Sequence, residues 1–166
     1  MPSEPVTTVV VDATVIIHLA KAGKLNLLGS LERWHFVVPD QVVEEVNYPE
    51  QAAALASALE EGHLRQESSN EMNEVASYAV LRQRMGSGEA ACIAMAESRG
   101  WLVASDDQGK AFTRLVRERI GNGRLIDTAQ IVHSACKQGL LTEGEAAKIS
   151  SLARGDDTED PRNNNS

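Results

Sequence analysis

Acidic residues follow two apolar runs of the sequence, at the points where buried strands would end. Asp12 comes directly after the run Val9–Val11, and Asp106 and Asp107 stand in the same relation to Trp101–Ala104. In open α/β sheets, ligands bind outside the carboxyl ends of the strands. These three carboxylates therefore occupy positions where a functional site is expected.

Further acids lie within predicted helices. Glu89 follows the loop Gly86–Gly88, while Glu44 and Glu45 lie in the helix after the second apolar run. Taken singly, these acids suit ordinary roles: Glu89 would complement the helix dipole from the first turn, and Glu44 and Glu45 would be solvated acids on a helix. Several converging carboxylates, however, repel one another unless a cation lies between them. Oxygen ligands favour Mg²⁺ or Mn²⁺, which can align a phosphodiester and activate water for in-line attack.

Short apolar runs alternate with helical segments along the whole chain. This alternation predicts an α/β three-layer sandwich around a mostly parallel central sheet. We predict strands at Val6–Val11, His35–Val38, His63–Glu67, Trp101–Ala104 and Arg124–Ile126. We predict helices at Thr14–Ala20, Lys24–Arg33, Asp40–Val46 (with Asp40 as its N-cap), Gln51–Glu61, Glu71–Met85, Glu89–Arg99, Gln108–Ile120, Asp127–Gln138 and Glu143–Leu152.

Length and composition indicate one globular domain. The chain has 166 residues, and we expect a single domain over residues 1–154 followed by an acidic, disordered tail at 155–166. A net charge of −8 argues against binding nucleic acid through overall charge, so a polyanion would need a local basic patch or metal ions. Cys92 and Cys136 form no spaced motif. No apolar run is long enough to span a membrane and no signal peptide is evident, so we expect a cytoplasmic protein with reduced thiols and no membrane contact.

A basic stripe is predicted beside the second acidic cluster. Lys110, Arg114 and Arg117 fall at i, i+4 and i+7 of a predicted helix and share one of its faces. The stripe suits contact with nucleic-acid phosphates, but the favoured interpretation is an ordinary solvated face. Other chemistries lack their motifs: there is no phosphate-binding loop with its lysine, and Thr14 stands where haloacid dehalogenase-like phosphatases need a second aspartate.

Segments that span roughly residues 6–140 resemble the PIN-domain family. The opening motif, with its Asp-x-Ser/Thr signature, matches Asp12-Ala13-Thr14 in VVVDATVIIHLAKAGKLNLL. The second motif is similar to VVPDQVVEEV, and the third and fourth are similar to GSGEAACIAMAESRGWLVASDDQGKAF. The ordered set is more specific than any single motif.

This resemblance implies a metal-dependent nuclease and assigns its ligands. Asp12, Glu45, Glu89 and Asp106 would hold Mg²⁺ or Mn²⁺, with Asp107 as an open alternative to Asp106. Glu45 is preferred to Glu44 because an aliphatic residue follows it, as the motif expects. Thr14 and Ser105 would be the hydroxyls that orient the ligands.

The resemblance also implies a biological setting. PIN domains are often the toxin half of VapC-type toxin–antitoxin pairs, so we expect single-stranded RNA as substrate, an antitoxin as partner and possible homodimerisation. The products would carry a 5′-phosphate and a 3′-hydroxyl. The alternative is a catalytically silent PIN-like module that binds nucleic acid or protein, because the acidic surface is poorly suited to holding RNA.

Overall fold

The computed structural model describes residues 5–155, in which five strands form one parallel sheet. The order across the sheet is β3-β2-β1-β4-β5, and every neighbouring pair is parallel. The predicted α/β architecture is therefore confirmed. The strands are β1 (Thr7–Val11), β2 (Trp34–Pro39), β3 (Arg65–Glu67), β4 (Leu102–Ala104) and β5 (Leu125–Ile126).

Helices connect the strands, as a parallel sheet requires. The fourth, eighth and ninth helices pack on the first helix. The fifth and seventh helices pack on the sixth. No helix within residues 5–155 is both long and apolar enough to cross a membrane. The helices of this range are α1 (Ala13–Lys21), α2 (Leu27–Ser30), α3 (Asp40–Glu45), α4 (Pro49–Glu60), α5 (Met72–Leu81), α6 (Ser87–Arg99), α7 (Lys110–Arg119), α8 (Thr128–Lys137) and α9 (Glu143–Ala153).

Several predicted boundaries are wrong. The helix predicted at Lys24–Arg33 is only the four residues of α2, because the buried Leu31 is already extended and leads the chain into β2. Asp40 does not cap α3: the extended Pro39 holds the N-cap position, and the Asp40 carboxylate accepts hydrogen bonds from Gln66 and Ser68.

Other differences are smaller. Helix α5 is shorter than the predicted Glu71–Met85, whereas α6 begins at Ser87, within the segment predicted as a loop. The disordered tail was predicted at residues 155–166, and residues 156–166 lie outside the described range.

The centre of the molecule is β1 together with α6. The run Val9–Val11 is buried completely, and every residue of α6 from Ala90 to Ala96 is buried as well. Because most of these α6 side chains are small, the helix can lie close to the sheet on one side and to its helical neighbours on the other. This packing fixes the first turn of α6, where Glu89 lies.

The chain reverses its direction of travel across the sheet between β1 and β4. From β1 it proceeds outward to β2 and β3, and it then returns to the other side of β1 to form β4 and β5. Val11 pairs with Ala104, so the residues that follow both strands lie side by side. Such a switch point is the usual ligand site of an open parallel sheet.

Candidate active site

Asp12 is the buried acid at the switch point. It is 2% exposed, and its Oδ2 accepts hydrogen bonds from the hydroxyls of Ser105 at 2.8 Å and Thr14 at 3.2 Å. Burial raises the pKa of Asp12, and the nearby Glu45 adds to the rise, although the two hydroxyls and the Ala13 N–H oppose it. The hydroxyls therefore stabilise the ionised form of a carboxyl group that has lost most of its water.

The same hydroxyls tie the chain after β4 to the chain after β1. Ser105 Oγ accepts the N–H of Asp107 at 3.1 Å, and Thr14 Oγ1 accepts the N–H of Asp106 at 2.9 Å. Both hydroxyls predicted to orient ligands thus contact Asp12 on one side and the backbone of the acidic pair on the other. This arrangement fixes the position of that pair relative to Asp12.

Asp106 directs its carboxylate toward α1 and α8. Its Oδ1 accepts the N–H of Thr128 at 2.8 Å, while its Oδ2 accepts the Thr128 hydroxyl at 2.6 Å and lies 2.6 Å from His18 Nδ1. Burial opposes ionisation of Asp106, but these contacts outweigh it and lower the pKa. Both oxygens are therefore already engaged by protein groups.

Asp107 directs its carboxylate toward Glu89. One Asp107 oxygen accepts the N–H of Gly109 at 2.7 Å, and the Asp107 carboxylate acts on the carboxyl group of Glu89. Burial raises the pKa of Glu89 to about 7, together with the negative charges of Asp107, Asp12 and Glu45. Four acids from four separate segments thus act on one another at the switch point.

Glu45 reaches the group from α3 and caps α6. Its Oε1 accepts the N–H of Gly88 at 2.8 Å and the hydroxyl of Ser87 at 3.0 Å. A Cβ at Gly88 would lie 2.4 Å from Glu45 Oε2, so the missing side chain makes room for the carboxylate. The neighbouring Glu44 is exposed and makes no such contact in the described part of the chain.

The donor set suits a hydrated divalent cation. Within residues 5–155, no group of three or more His, Cys, Asp or Glu side chains is arranged so that it could hold a metal ion by itself. Mg²⁺ typically keeps several waters and takes only one or two carboxylates from the protein. A crowded group of oxygen donors, in which Glu89 resists ionisation, therefore fits such an ion.

The basic stripe lies on the exposed face of α7. Lys110, Arg114 and Arg117 are exposed and form no ion pair within residues 5–155. Helix α7 begins three residues after Asp107, and the turn between them is closed by the bond from Gly109 to Asp107. The stripe consequently starts beside the acidic group.

Two residues of the site were not foreseen. Thr128 is fully buried and holds Asp106, and its signal was its place just after β5, equivalent to that of the acids after β1 and β4. Gly88 makes room for Glu45. Its signal was a glycine next to a predicted helix start, where glycine is unfavourable for the helix itself. The contact of His18 with Asp106 completes the set.

Comparisons with known proteins agree with this geometry. No protein of curated function matches the chain. The structure of VapBC2 from Rickettsia felis bound to a DNA fragment from their promoter is 12% identical, with a TM-score of 0.50 over 72% of this chain and 98% of that chain. The structure of PAE2754 from Pyrobaculum aerophilum is 19% identical, with a TM-score of 0.50 over 78% of this chain and 90% of that chain.

These two likenesses show a shared fold, and the sequence provides the assignment. A family model described as PIN domain matches residues 8–154, which include the acidic group and the elements that position it. The chain therefore belongs to the PIN-domain family.

Proposed function

We propose that this protein is a Mg²⁺- or Mn²⁺-dependent endoribonuclease that hydrolyses phosphodiester bonds in single-stranded RNA. The observation that carries the proposal is the convergence of four acids at the switch point, Asp12, Glu45, Glu89 and Asp107. Burial there, together with the charges of the other three acids, raises the pKa of Glu89 to about 7. Carboxylates crowded in this way are stabilised in their ionised form by a cation among them. Membership of the PIN-domain family supports the same chemistry.

Each acid has a distinct role in the proposal. Asp12, Glu89 and Asp107 would hold the cation, and Glu45 would face it from the start of α6. A divalent cation bound there would supply positive charge for the scissile phosphate and for activation of the attacking water. Asp106 is a positioning residue, because its contacts with Thr128 and His18 fix the backbone from which Asp107 extends.

The substrate would be held by a small number of cations. Lys110, Arg114 and Arg117 offer a row of positive charge that leads away from Asp107, and the rest of the molecule is net acidic. Phosphate contacts position a nucleic acid without reading its sequence. The proposal of single-stranded RNA over DNA is drawn from the family resemblance.

We further propose that the protein is a cytoplasmic toxin with an antitoxin partner. One structure of similar fold, VapBC2, was determined bound to a DNA fragment from their promoter. In our proposal, a segment of the partner covers the acidic group and places a basic side chain among its carboxylates. That contact would relieve the repulsion described above and would block the substrate.

The test is cleavage of a labelled single-stranded RNA with Mg²⁺, with Mn²⁺ and with EDTA. We expect cleavage only with metal, and a loss of at least about 100-fold in Asp107→Asn, because one carboxylate of the site is removed. Glu44→Gln is the matched control, since it neutralises an exposed acid next to Glu45 and should leave the rate unchanged. A single-stranded DNA of the same sequence tests the preference for RNA.

Three outcomes would change the proposal. A folded, metal-binding wild type that cleaves no RNA would favour the silent binding module. Equal cleavage of DNA would reject the RNA preference but retain the nuclease. The third outcome concerns bacterial cells in which expression of the protein is induced. If the Asp107→Asn variant still arrests their growth, any toxicity is independent of this site.

A further inference from the structure

A small polar pocket opens directly beside Asp107, between the starts of α7 and α8. Its lining includes Asp107, Gln108 and Thr113 on the α7 side and Asp127 and Gln130 on the α8 side. We call it the β5 pocket, since both residues of β5 contribute apolar surface to it. Its volume is about 200 Å³, whereas clefts for drug-sized ligands measure roughly 300–1,000 Å³. The β5 pocket is therefore suited to one small planar group.

The capping box of α8 leaves two polar atoms unused beside the β5 pocket. Asp127 Oδ1 accepts the N–H of Gln130 at 2.9 Å, and Gln130 Oε1 accepts the N–H of Asp127 at 3.0 Å. In the described part of the chain, Asp127 Oδ2 and Gln130 Nε2 form no hydrogen bond. Because the box holds both side chains in place, the pocket has an acceptor and a donor that are already positioned for a ligand.

The charges of the β5 pocket exclude a phosphate group and favour a neutral ring that carries N–H groups. Asp107 and Asp127 both contribute carboxylates, which accept hydrogen bonds, donate none and repel an anion. Asp127 is not among the groups that chiefly shift the pKa of Asp12 or Glu89. It therefore stands apart from the four acids of the switch point, and its free oxygen is left for a different ligand.

We propose that the β5 pocket binds a guanine base of the RNA strand beside the cleaved phosphate, an inference that rests on the function proposed above. Guanine is the RNA base whose edge presents two adjacent N–H donors, at N1 and N2, next to a carbonyl oxygen. The carboxylate of Asp127 has lone pairs left for these donors, and Gln130 Nε2 can donate to the carbonyl. Leu125 and Ile126 provide the apolar surface for the ring.

The basic stripe provides a path for the backbone of the same strand. Thr113 lines the pocket, and it lies three residues after Lys110 and four before Arg117 on α7, so the three are neighbours on the helix surface. A strand that follows the stripe toward Asp107 can keep its phosphates on the cations and turn one base inward. Because base contacts specify sequence and phosphate contacts do not, the β5 pocket makes binding depend on one base.

The first experiment measures RNA binding in EDTA, where the proposed nuclease cannot act. Four labelled uridine-rich RNAs differ only in one central base, which is guanine, adenine, cytosine or uracil. Wild type should bind the guanine RNA about 10-fold more tightly than the other three, as expected for one good base contact. Fluorescence anisotropy gives the four dissociation constants, and their ratios isolate the base from general effects of charge.

Two variants change the pocket and keep the helix cap. Asp127→Asn retains a capping oxygen but replaces the free carboxylate oxygen with an amide donor. Gln130→Glu retains the capping box but replaces the free donor with an acceptor. Each should remove the preference for guanine. Thr142→Asn is the matched control, because it exchanges one capping residue for another at the start of α9 and should leave the preference unchanged. Circular dichroism checks that each variant is folded.

Cleavage then separates this inference from the proposed function. A random-sequence RNA is partly digested with Mg²⁺ or Mn²⁺, and the new ends are sequenced. Wild type should show guanine enriched at one fixed position from the cut, and Asp127→Asn should lose this enrichment. Cleavage with no base preference would overturn the β5 pocket and retain the nuclease. Guanine-selective binding without any cleavage would retain the pocket and overturn the nuclease.

Three binding results would also overturn the inference. Equal affinity for the four RNAs, or no binding of any, shows that the β5 pocket selects no base. A preference for a different base shows that Asp127 and Gln130 do not recognise guanine. A guanine preference that survives both Asp127→Asn and Gln130→Glu places the base elsewhere on the protein.

Discussion

Asp106 and Asp107 are adjacent in the sequence, yet their carboxylates contact different parts of the molecule. Asp106 accepts bonds from Thr128 and faces His18, whereas Asp107 faces the carboxyl group of Glu89. Neutralising Asp106 removes hydrogen bonds to a charged acceptor, whereas neutralising Asp107 removes its repulsion with Glu89. The two substitutions should therefore affect stability in opposite directions.

We expect Asp106→Asn to lower the free energy of unfolding by about 1–3 kcal/mol. Asp107→Asn should leave it unchanged or raise it. Chemical denaturation in EDTA at neutral pH measures both. Because contacts lower the pKa of Asp106, its contribution should be present above the ordinary value of 3.8 and lost as pH falls through the lowered pKa. Equal losses in the two variants would show that the acids are not divided in this way.

Glu89 should make the metal-free protein less stable as pH rises. Its pKa is 4.5 in the unfolded chain and about 7 in the folded protein, so the folded state holds the proton more tightly. The stability that protonation contributes is complete below 4.5 and is lost as pH rises through about 7. Glu89→Gln should consequently raise the melting temperature by about 3 °C at about pH 8 in EDTA, and should have little effect below the unfolded pKa.

A matched exposed acid controls for general charge effects in that experiment. Glu44→Gln should leave the melting temperature unchanged at both pH values. Adding Mg²⁺ should reduce the difference in melting temperature between Glu89→Gln and wild type, since a cation bound to wild type relieves the same repulsion. If Glu89→Gln raises the melting temperature equally at both pH values, ionisation of Glu89 is not the cause.

The sequence identified the acids of the candidate site, but it could not distinguish the roles of the adjacent Asp106 and Asp107. Asp106 and Asp107 have the same side chain and follow the same strand, so motif spacing alone fits either one. What separates them is contact with Thr128 and His18, which come from distant parts of the chain. The burial of Glu74 was equally hidden, because its partner Arg99 is 25 positions away.

At the scale of the elements, the start of α6 depends on the absence of a side chain. Gly88→Ala would bring a Cβ within 2.4 Å of Glu45 Oε2, so the carboxylate must move and its bond to the Gly88 N–H is lost. We expect nuclease activity to fall at least about 10-fold and the free energy of unfolding to fall by about 1 kcal/mol, the usual loss for a helix cap. RNA cleavage and denaturation measure the two effects.

The glycine two positions earlier provides the control. A Cβ at Gly86 would meet Glu45 Oε1 at 3.9 Å, an ordinary contact, and its φ of −65° suits alanine. Gly86→Ala should therefore behave like wild type. Similar losses in both variants would mean that the loop, and not the position of Glu45, is responsible.

The elements that the sequence predicted best are those specified by local patterns. The run Val9–Val11 and the alanine-rich segment of α6 are buried over their whole length, so their hydrophobicity alone indicates a central strand and helix. The short α2 could not be predicted this way. Lys24–Arg33 has good helix-forming residues, but burial of Leu31 in an extended conformation overrides that local preference.

For the molecule as a whole, the acidic charge makes RNA binding depend on few cations. If Lys110, Arg114 and Arg117 each contact a phosphate, replacing all three with alanine should reduce the slope of log affinity against log salt by about 2. Binding assays with a catalytically inactive Asp107→Asn background measure this slope. Lys148→Ala removes an exposed cation from α9 and should leave it unchanged. An unaltered slope in the triple variant would place the RNA elsewhere.

The pairing of β1 with β4 has a consequence for the synthesis of the chain. Asp12 and Ser105 are hydrogen-bonded but 93 positions apart in the sequence, so the two halves of the site meet only after β4 has been made and has docked. Contacts of such long range form late because loop closure must come first. A growing or truncated chain that ends before β4 carries Asp12, Glu45 and Glu89 without the second wall of the site. A destructive activity would thus be withheld from the ribosome that is making the chain until β4 has been synthesised and has docked against β1.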